Sequence, residues 1–192
     1  EEGRLINVTD PLGNTTHYTY DPNGRLTGIT DPLGAAVKFE YDAVDRLVRT
    51  YDAGGNLTEY AYDPNGNLIS VTDPNGHITT YEYDELNRVI SIRDAEGYRA
   101  FFTYDAAGRL TKARDRRGFA TTYGYDAADR LVNVTDAAGR STTYEYDAAG
   151  NVIAVTDAGG NTTAYEYDLL SRLIRVTDPL GNTVAYDYDA AG

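Results

Sequence analysis

Tyr-Asp pairs recur at Tyr20-Asp21, Tyr41-Asp42, Tyr62-Asp63, Tyr83-Asp84, Tyr104-Asp105, Tyr125-Asp126, Tyr146-Asp147, Tyr167-Asp168 and Tyr188-Asp189, always 21 residues apart and with no insertion or deletion. A fixed period of this length marks a repeat architecture, in which each unit buries its apolar side only against its neighbours. Two residues before each pair stands a second aromatic: Tyr18, Phe39, Tyr60, Tyr81, Phe102, Tyr123, Tyr144, Tyr165 and Tyr186. A further Asp keeps the same step from Asp10 and Asp31 to Asp178, each followed three places on by a Gly, from Gly13 and Gly34 to Gly181. Nine units and three further residues account for all 192 positions. The span 1–192 therefore reads as one repeat array, with no second domain and no linker.

One unit reads Arg4 to Thr9, then Asp10-Pro11-Leu12-Gly13, then Asn14 to Tyr20, then Asp21-Pro22-Asn23-Gly24. Runs rich in Thr, Val, Ile and Tyr are separated by Asp-Pro-x-Gly tetrads, the vocabulary of strands and tight turns. Pro suits the second turn position, Asp accepts a backbone bond two residues on, and Gly takes the left-handed exit. Turns every ten or eleven residues would break any helix. The fold class is thus all-β: tandem β-hairpins, two strands per repeat and about eighteen antiparallel strands.

Alternation assigns the faces. Thr16, Tyr18 and Tyr20 fall on one side and Thr15, His17 and Thr19 on the other. Repeated stacking makes two columns of aromatic rings. The first strand adds a Leu column (Leu5, Leu26, Leu47, Leu68, with Val89 and Val152) and an Ile/Val column (Ile6, Val48, Ile69, Ile90, Val132, Ile153, Ile174). Because 21 is odd, one element of each unit has to absorb an unpaired residue. The expected device is a three-residue loop with a Gly bulge at one turn and a two-residue loop at the other, so that turn types alternate.

Composition removes several functions. At 41% hydrophobic and 24% charged, the chain is not compositionally disordered. A net charge of −13 repels nucleic acid and anionic membranes. No apolar run approaches the roughly 18 residues of a spanning helix. Glu1-Glu2-Gly3-Arg4 has no signal-peptide pattern. With no Cys there are no disulfides, thiolate metal sites or thiol nucleophiles.

Catalytic, cofactor-binding and metal sites are likewise not expected. Each turn Asp offers one carboxylate, whereas calcium needs several converging oxygens. The plain reading is a turn bond to backbone. His17 and His77 stand in different phases of the repeat without a paired ligand, and Ser70, Ser91 and Ser141 lie in strands without a His/Asp constellation. Arg4, Arg25, Arg46, Arg88, Arg109, Arg130 and Arg172 form a ladder expected to pair with acidic neighbours. The abundance of Tyr over Phe suggests hydroxyls that reach a polar partner. Exposed rings would also suit stacking on carbohydrate. Asn7, Asn14, Asn56, Asn133 and Asn161 begin Asn-x-Thr triplets, glycan acceptors in a suitable secretory route.

Eighteen strands spaced about 4.8 Å apart span roughly 86 Å. Open twisted sheets rarely exceed about ten strands without curling or splitting. One continuous curled sheet, part of a spiral shell or tube, is the expected outcome. Its unpaired first and last strands would invite neighbouring repeats or further copies of the chain.

The unit at Gly24 to Asp42, and again at Gly150 to Asp168, resembles the RHS/YD repeat of bacterial RHS and contact-dependent toxins, insecticidal toxin complexes, wall-associated proteins and animal teneurins. The resemblance covers the whole chain. It implies a spiralling β-sheet that closes into a hollow shell and, in toxin members, sequesters a polypeptide. It further implies a secreted or cell-surface location and a non-catalytic scaffold that encloses or presents cargo. An alternative is a filament-forming or adhesive surface protein, with carbohydrate on the Tyr columns. The array begins and ends mid-pattern, as a segment of a longer repeat protein would. Asp10-Pro11 and Asp31-Pro32 match the family's aspartyl self-cleavage tetrads, but the hydrophobic cleavage segment that should follow is absent, so no protease activity is expected.

Overall fold

The computed structural model describes residues 3–189; the outermost positions of the array, 1–2 and 190–192, lie outside the described residues. The chain divides into two compact units, one ending at Arg99 and one starting at Ala100. The first holds β1 (Asn7–Thr9), β2 (Thr15–Tyr20), β3 (Leu26–Thr30), β4 (Ala36–Tyr41), β5 (Leu47–Tyr51), β6 (Leu57–Tyr62), β7 (Leu68–Thr72), β8 (Ile78–Tyr83) and β9 (Val89–Arg93). The second holds β10 (Arg99–Tyr104), which begins at the boundary, β11 (Leu110–Arg114), β12 (Ala120–Tyr125), β13 (Leu131–Thr135), β14 (Ser141–Tyr146), β15 (Val152–Thr156), β16 (Thr162–Tyr167), β17 (Leu173–Thr177) and β18 (Thr183–Ala185). No helix interrupts the described residues. Within each unit every strand pairs antiparallel with the next in sequence.

The turns share one geometry, which overturns the expected alternation. At every turn from Asp10 to Asp178, the Asp N–H donates to the carbonyl four residues on, and the N–H three residues on returns to the Asp carbonyl. Asp10 N to Asn14 O and Gly13 N to Asp10 O both measure 3.0 Å. These are three-residue loops whose last residue is left-handed, with Gly13 at φ 87°. The Asp that opens each turn makes the same two backbone bonds whether the closing left-handed residue is Gly or, as at Asp45, carries a side chain, so the two turns of a unit have equal length.

The odd residue sits instead inside the longer strand pairing. Thr19 faces Gly28, but Tyr20 faces Leu26, so Thr27 is left over as a β-bulge. The same residue of each later unit is skipped: Val48, Ile69, Ile90, Thr111, Val132, Ile153 and Ile174. The Thr27 hydroxyl meets that of Thr19 at 3.2 Å, on the face away from the rings. The Ile/Val column therefore occupies the bulge positions and is separated from the aromatic columns. On the ring face a different column takes its place: Tyr18 faces Ile29, Tyr60 faces Val71, Tyr81 faces Ile92 and Tyr144 faces Val155.

The registers also step. Asn7 faces His17 and His17 faces Thr30, whereas the residue one repeat beyond Asn7 is Gly28. Gly28, Lys38 and Tyr51 repeat this two-residue offset. Two residues along the strand, about 6.7 Å, for each two strand spacings, about 9.6 Å, lean the strands by about 35° away from the perpendicular to the direction in which repeats succeed one another. Strands of closed barrels lean by a similar angle.

Each unit is a single layer. Among the described residues no hydrophobic side chain is fully buried, and the one buried polar side chain is Ser91. Ring-face residues are half-buried while residues such as His17, Thr19 and Lys38 on the other face are exposed. Cohesion thus comes from contacts between neighbouring strands on one face, as the repeat logic requires.

Candidate functional site

The sequence-predicted repeat residues come together as a turn staple, built with an arginine at most joints and with Asn67 or Asn151 at two. In the Tyr-Asp pair, Asp21 Oδ1 accepts the N–H groups of Asn23 and Arg25 at 2.9 and 3.0 Å, and Oδ2 takes Arg25 Nε at 2.6 Å. Arg25 then crosses to the next repeat. Its Nη1 donates to the Asp42 carbonyl at 3.0 Å, and its guanidinium lies 5.0 Å over the Tyr41 ring. Arg46 over Tyr62, Arg109 over Tyr125, Arg130 over Tyr146 and Arg172 over Tyr188 repeat the stack at 4.7–4.9 Å. The predicted arginine ladder does pair with Asp, and it also covers one face of the neighbouring ring, which pattern reading missed.

The tyrosine hydroxyls have partners of the kind expected. Tyr20, Tyr41, Tyr62, Tyr83, Tyr125, Tyr146 and Tyr188 donate to the carbonyls of Leu5, Leu26, Leu47, Leu68, Leu110, Leu131 and Leu173 at 2.7–3.0 Å. Leu26, Leu47, Leu68, Leu110, Leu131 and Leu173 stand next to the skipped bulge residue, each as the last partner of the preceding Tyr-Asp strand, so the hydroxyl bonds to the backbone at the bulge.

A second period of 42 residues was not read from the sequence. Gly24, Gly66, Gly108 and Gly150 alternate with Asp45, Asn87, Asp129 and Ser171, whose φ values of 59–68° place side-chain-bearing residues in the left-handed region. Each of the four accepts a side-chain hydrogen bond from the preceding joint: Arg25 to Asp45 at 2.6 Å, Asn67 to Asn87 at 2.7 Å, Arg109 to Asp129 at 2.7 Å and Asn151 to Ser171 at 3.1 Å. The signal that would have revealed it is the absence of Gly from every second Tyr-Asp turn.

The remaining candidates resolve into local bonds. Turn carboxylates bind backbone, as Asp10 Oδ1 does with Leu12 N and Asn14 N. His17 Nδ1 lies 2.6 Å from Asn7 Oδ1, and His77 Nδ1 2.9 Å from Asp73 Oδ2. Asn14, Asn56 and Asn161 give their amide nitrogens to the turn Asp four residues back. Among the described residues no cluster of three or more His, Cys, Asp or Glu is placed to hold a metal ion.

Hydrogen bonds set the electrostatics. The Asn14 amide holds Asp10 below the usual carboxylate range, the Arg88 guanidinium does so for Asp84, and the Arg46 backbone N–H for Asp42. Burial pushes the Tyr62 and Tyr83 phenols up. A lowered carboxylate pKa stabilises the fold above its unfolded value, and that stability disappears as pH falls through the folded value. A raised phenol stabilises below its unfolded value and loses the effect as pH rises through the folded one. Tyrosine fluorescence should therefore report a stability plateau bounded by losses below about pH 4 and above about pH 10. A profile flat down to pH 2 would contradict the acid limb.

These features define a class, a one-layer β-repeat wall held by turn staples with its apolar face left without a second layer. Residues 33–142 match the family model of the teneurin YD-shell, and residues 1–36, 125–162, 146–176 and 167–192 match that of the RHS repeat. The chain belongs to this YD-shell and RHS-repeat family. No individual curated protein matches it. Among solved structures it is similar to TcdB2-TccC3 without its hypervariable C-terminal region, at TM-score 0.59 and 18% identity, covering 92% of this chain and 12% of that one. It is also similar to the Photorhabdus luminescens Tc holotoxin pore, at 0.55 and 17%, covering 92% and 13%. The chain thus spans about an eighth of the structures it matches, and at these identities the likeness is one of fold.

Proposed function

We propose that this chain is a non-catalytic wall segment of a secreted or surface-exposed RHS/YD shell, whose ring face borders a space holding a toxin or other polypeptide cargo. The observation that carries this reading is the Tyr, Leu and Val surface of each unit, which among the described residues no second layer covers. Large apolar surfaces left without a layer mark a place for a partner. The two-residue step of the registers within each unit adds support, because closing a sheet around a space requires such a stagger. Repetition supplies an Asp-centred turn of like geometry at joint after joint, which suits a scaffold better than one reaction centre. The structures it is similar to include a Tc holotoxin pore, and cargo enclosure is what the family resemblance implies, taken up here as part of this proposal.

A test uses the full-length protein and the absence of Cys in this stretch. Thr142, opposite Val134, lies on the ring face, and Thr143, opposite Asn133, on the other. With Thr142→Cys and Thr143→Cys made separately, a bulky polyethylene-glycol maleimide is expected to label position 143 and spare 142. Equal labelling would exclude an enclosed ring face. The adhesive or filament alternative, with sugars stacking on Tyr, gains less support because the Tyr-Asp rings already carry an arginine on one face and donate their hydroxyls to backbone.

A further inference from the structure

We infer that the β11–β12 hairpin is a docking surface for a short acidic peptide segment. In a repeat array the other copies show what a position needs for folding alone, and this hairpin departs from them at several places together. Arg114 stands where six other copies carry Thr9, Thr30, Thr72, Thr135, Thr156 and Thr177, one carries Tyr51 and the preceding copy carries Arg93. Lys112 stands where Asn133 and Ala154 stand in the following copies, and where Arg49 and Arg175 stand in two others; Arg117 replaces Ala138 or Gly159, and Phe101 replaces Thr122 or Thr143. None of the four is required by the hairpin itself, since neighbouring hairpins fold with small polar residues or alanine there.

The substitutions converge on one surface. Arg114 faces Phe101 on one side and Ala120 on the other, and its guanidinium lies 4.4 Å over the Phe101 ring. Lys112, two residues back and about 7 Å away, shares that face. Arg117 sits in the turn beyond, beside Phe119, which is 59% exposed. In the other hairpins of the second unit the arginines are occupied by carboxylates: Arg109, Arg130, Arg140 and Arg172 by turn aspartates, Arg175 by Glu166. Among the described residues Lys112, Arg114 and Arg117 have no carboxylate partner. Three cations and two rings around the one carboxylate of Asp115, whose Oδ1 is taken by the backbone N–H groups of Arg117 and Phe119, form a local inversion of the surface field in a chain of net charge −13.

Charge complementarity selects the partner. Screening confines the attraction to about 8–10 Å at physiological salt. A long polyanion leaving the patch along the same rim would meet the turn carboxylates Asp136 and Asp157, both held ionised by their hydrogen bonds. A short peptide with Asp or Glu beside an aromatic residue matches the cations and the rings without reaching them.

The test is fluorescence anisotropy of a labelled peptide of alternating Glu and Tyr against the whole chain. The variant Lys112→Asn, Arg114→Thr and Arg117→Ala borrows residues from the next copy, so the hairpin keeps its folding grammar, which far-UV circular dichroism verifies. Binding is expected to weaken about tenfold or more in this variant and to fall with added salt. Arg175→Ala, borrowed from Ala154, removes a cation elsewhere and should leave binding within about twofold. The inference is overturned if the triple variant binds as well as the parent, if the parent shows no binding, or if an oligothymidylate of equal charge binds more tightly than the peptide.

Discussion

Tyr62→Ala is expected to lower the unfolding free energy by about 3 kcal/mol, near the low end for aromatic truncation because the ring is half-buried. Three interactions disappear together. The ring leaves its position opposite Leu68, the hydroxyl leaves the Leu47 carbonyl at 2.8 Å, and Arg46 loses the ring 4.9 Å from its guanidinium. Tyr62→Phe separates these contributions. It removes only the hydrogen bond and should lower stability by about 1 kcal/mol. Crossing Tyr62→Ala with Arg46→Ala isolates the stack, for which a coupling of roughly 0.5–1 kcal/mol is expected. Denaturant unfolding gives the free energies, and hydrogen exchange locates the damage. Stability in a repeat array is a sum over neighbours, so β5, β6 and β7 should exchange faster while β13 to β17 are unchanged. If Ala and Phe at position 62 both fall within about 0.5 kcal/mol of the parent, the ring is not what joins the repeats.

How much of this was legible beforehand follows from which interactions a linear pattern encodes. The period, the strands and the turn aspartates are set by residues within a few positions of one another, and Asp10 with Leu12 and Asn14 behaves as its spacing required. The need for one odd residue per unit was equally visible. Its location was not, because two-residue and three-residue loops both accept Asp-x-x-Gly, and only pairing with the adjacent strand places the skip at Thr27 rather than in a turn. The arginine ladder was visible as charge, but its seat on the next repeat's ring joins residues 16 apart in sequence, such as Arg25 and Tyr41. The 42-residue alternation was missed for a different reason. Asp45, Asn87, Asp129 and Ser171 are chemically unlike, and what unites them is a backbone angle and a shared donor position one joint earlier.

The largest loss is expected from inserting one Ala between Thr58 and Glu59. Glu59 is paired on both sides, with Arg49 of β5 and with Thr72 of β7. The natural bulge at Val48 is tolerated because the β5–β6 ladder has already ended at Arg49, so the skipped residue disturbs one ladder only. An added residue before Glu59 has no such refuge. Held in register with β5, it turns Tyr60 and Tyr62 to the polar face and sets Glu59 and Ala61 among the rings, since a one-residue slip exchanges the faces of a strand. Held in register with β7, it moves Leu57 and Thr58 off their partners Tyr51 and Thr50. Either route combines lost ring burial with broken backbone pairs, and roughly 4 kcal/mol or more is expected, enough to unfold the centre of the first unit. The same Ala placed between Asn65 and Gly66, in a turn, lengthens a surface loop and should lower stability by about 1 kcal/mol. Equal effects at the two sites, measured by denaturant midpoint, would mean that strand register is not what holds the tyrosine columns on one face.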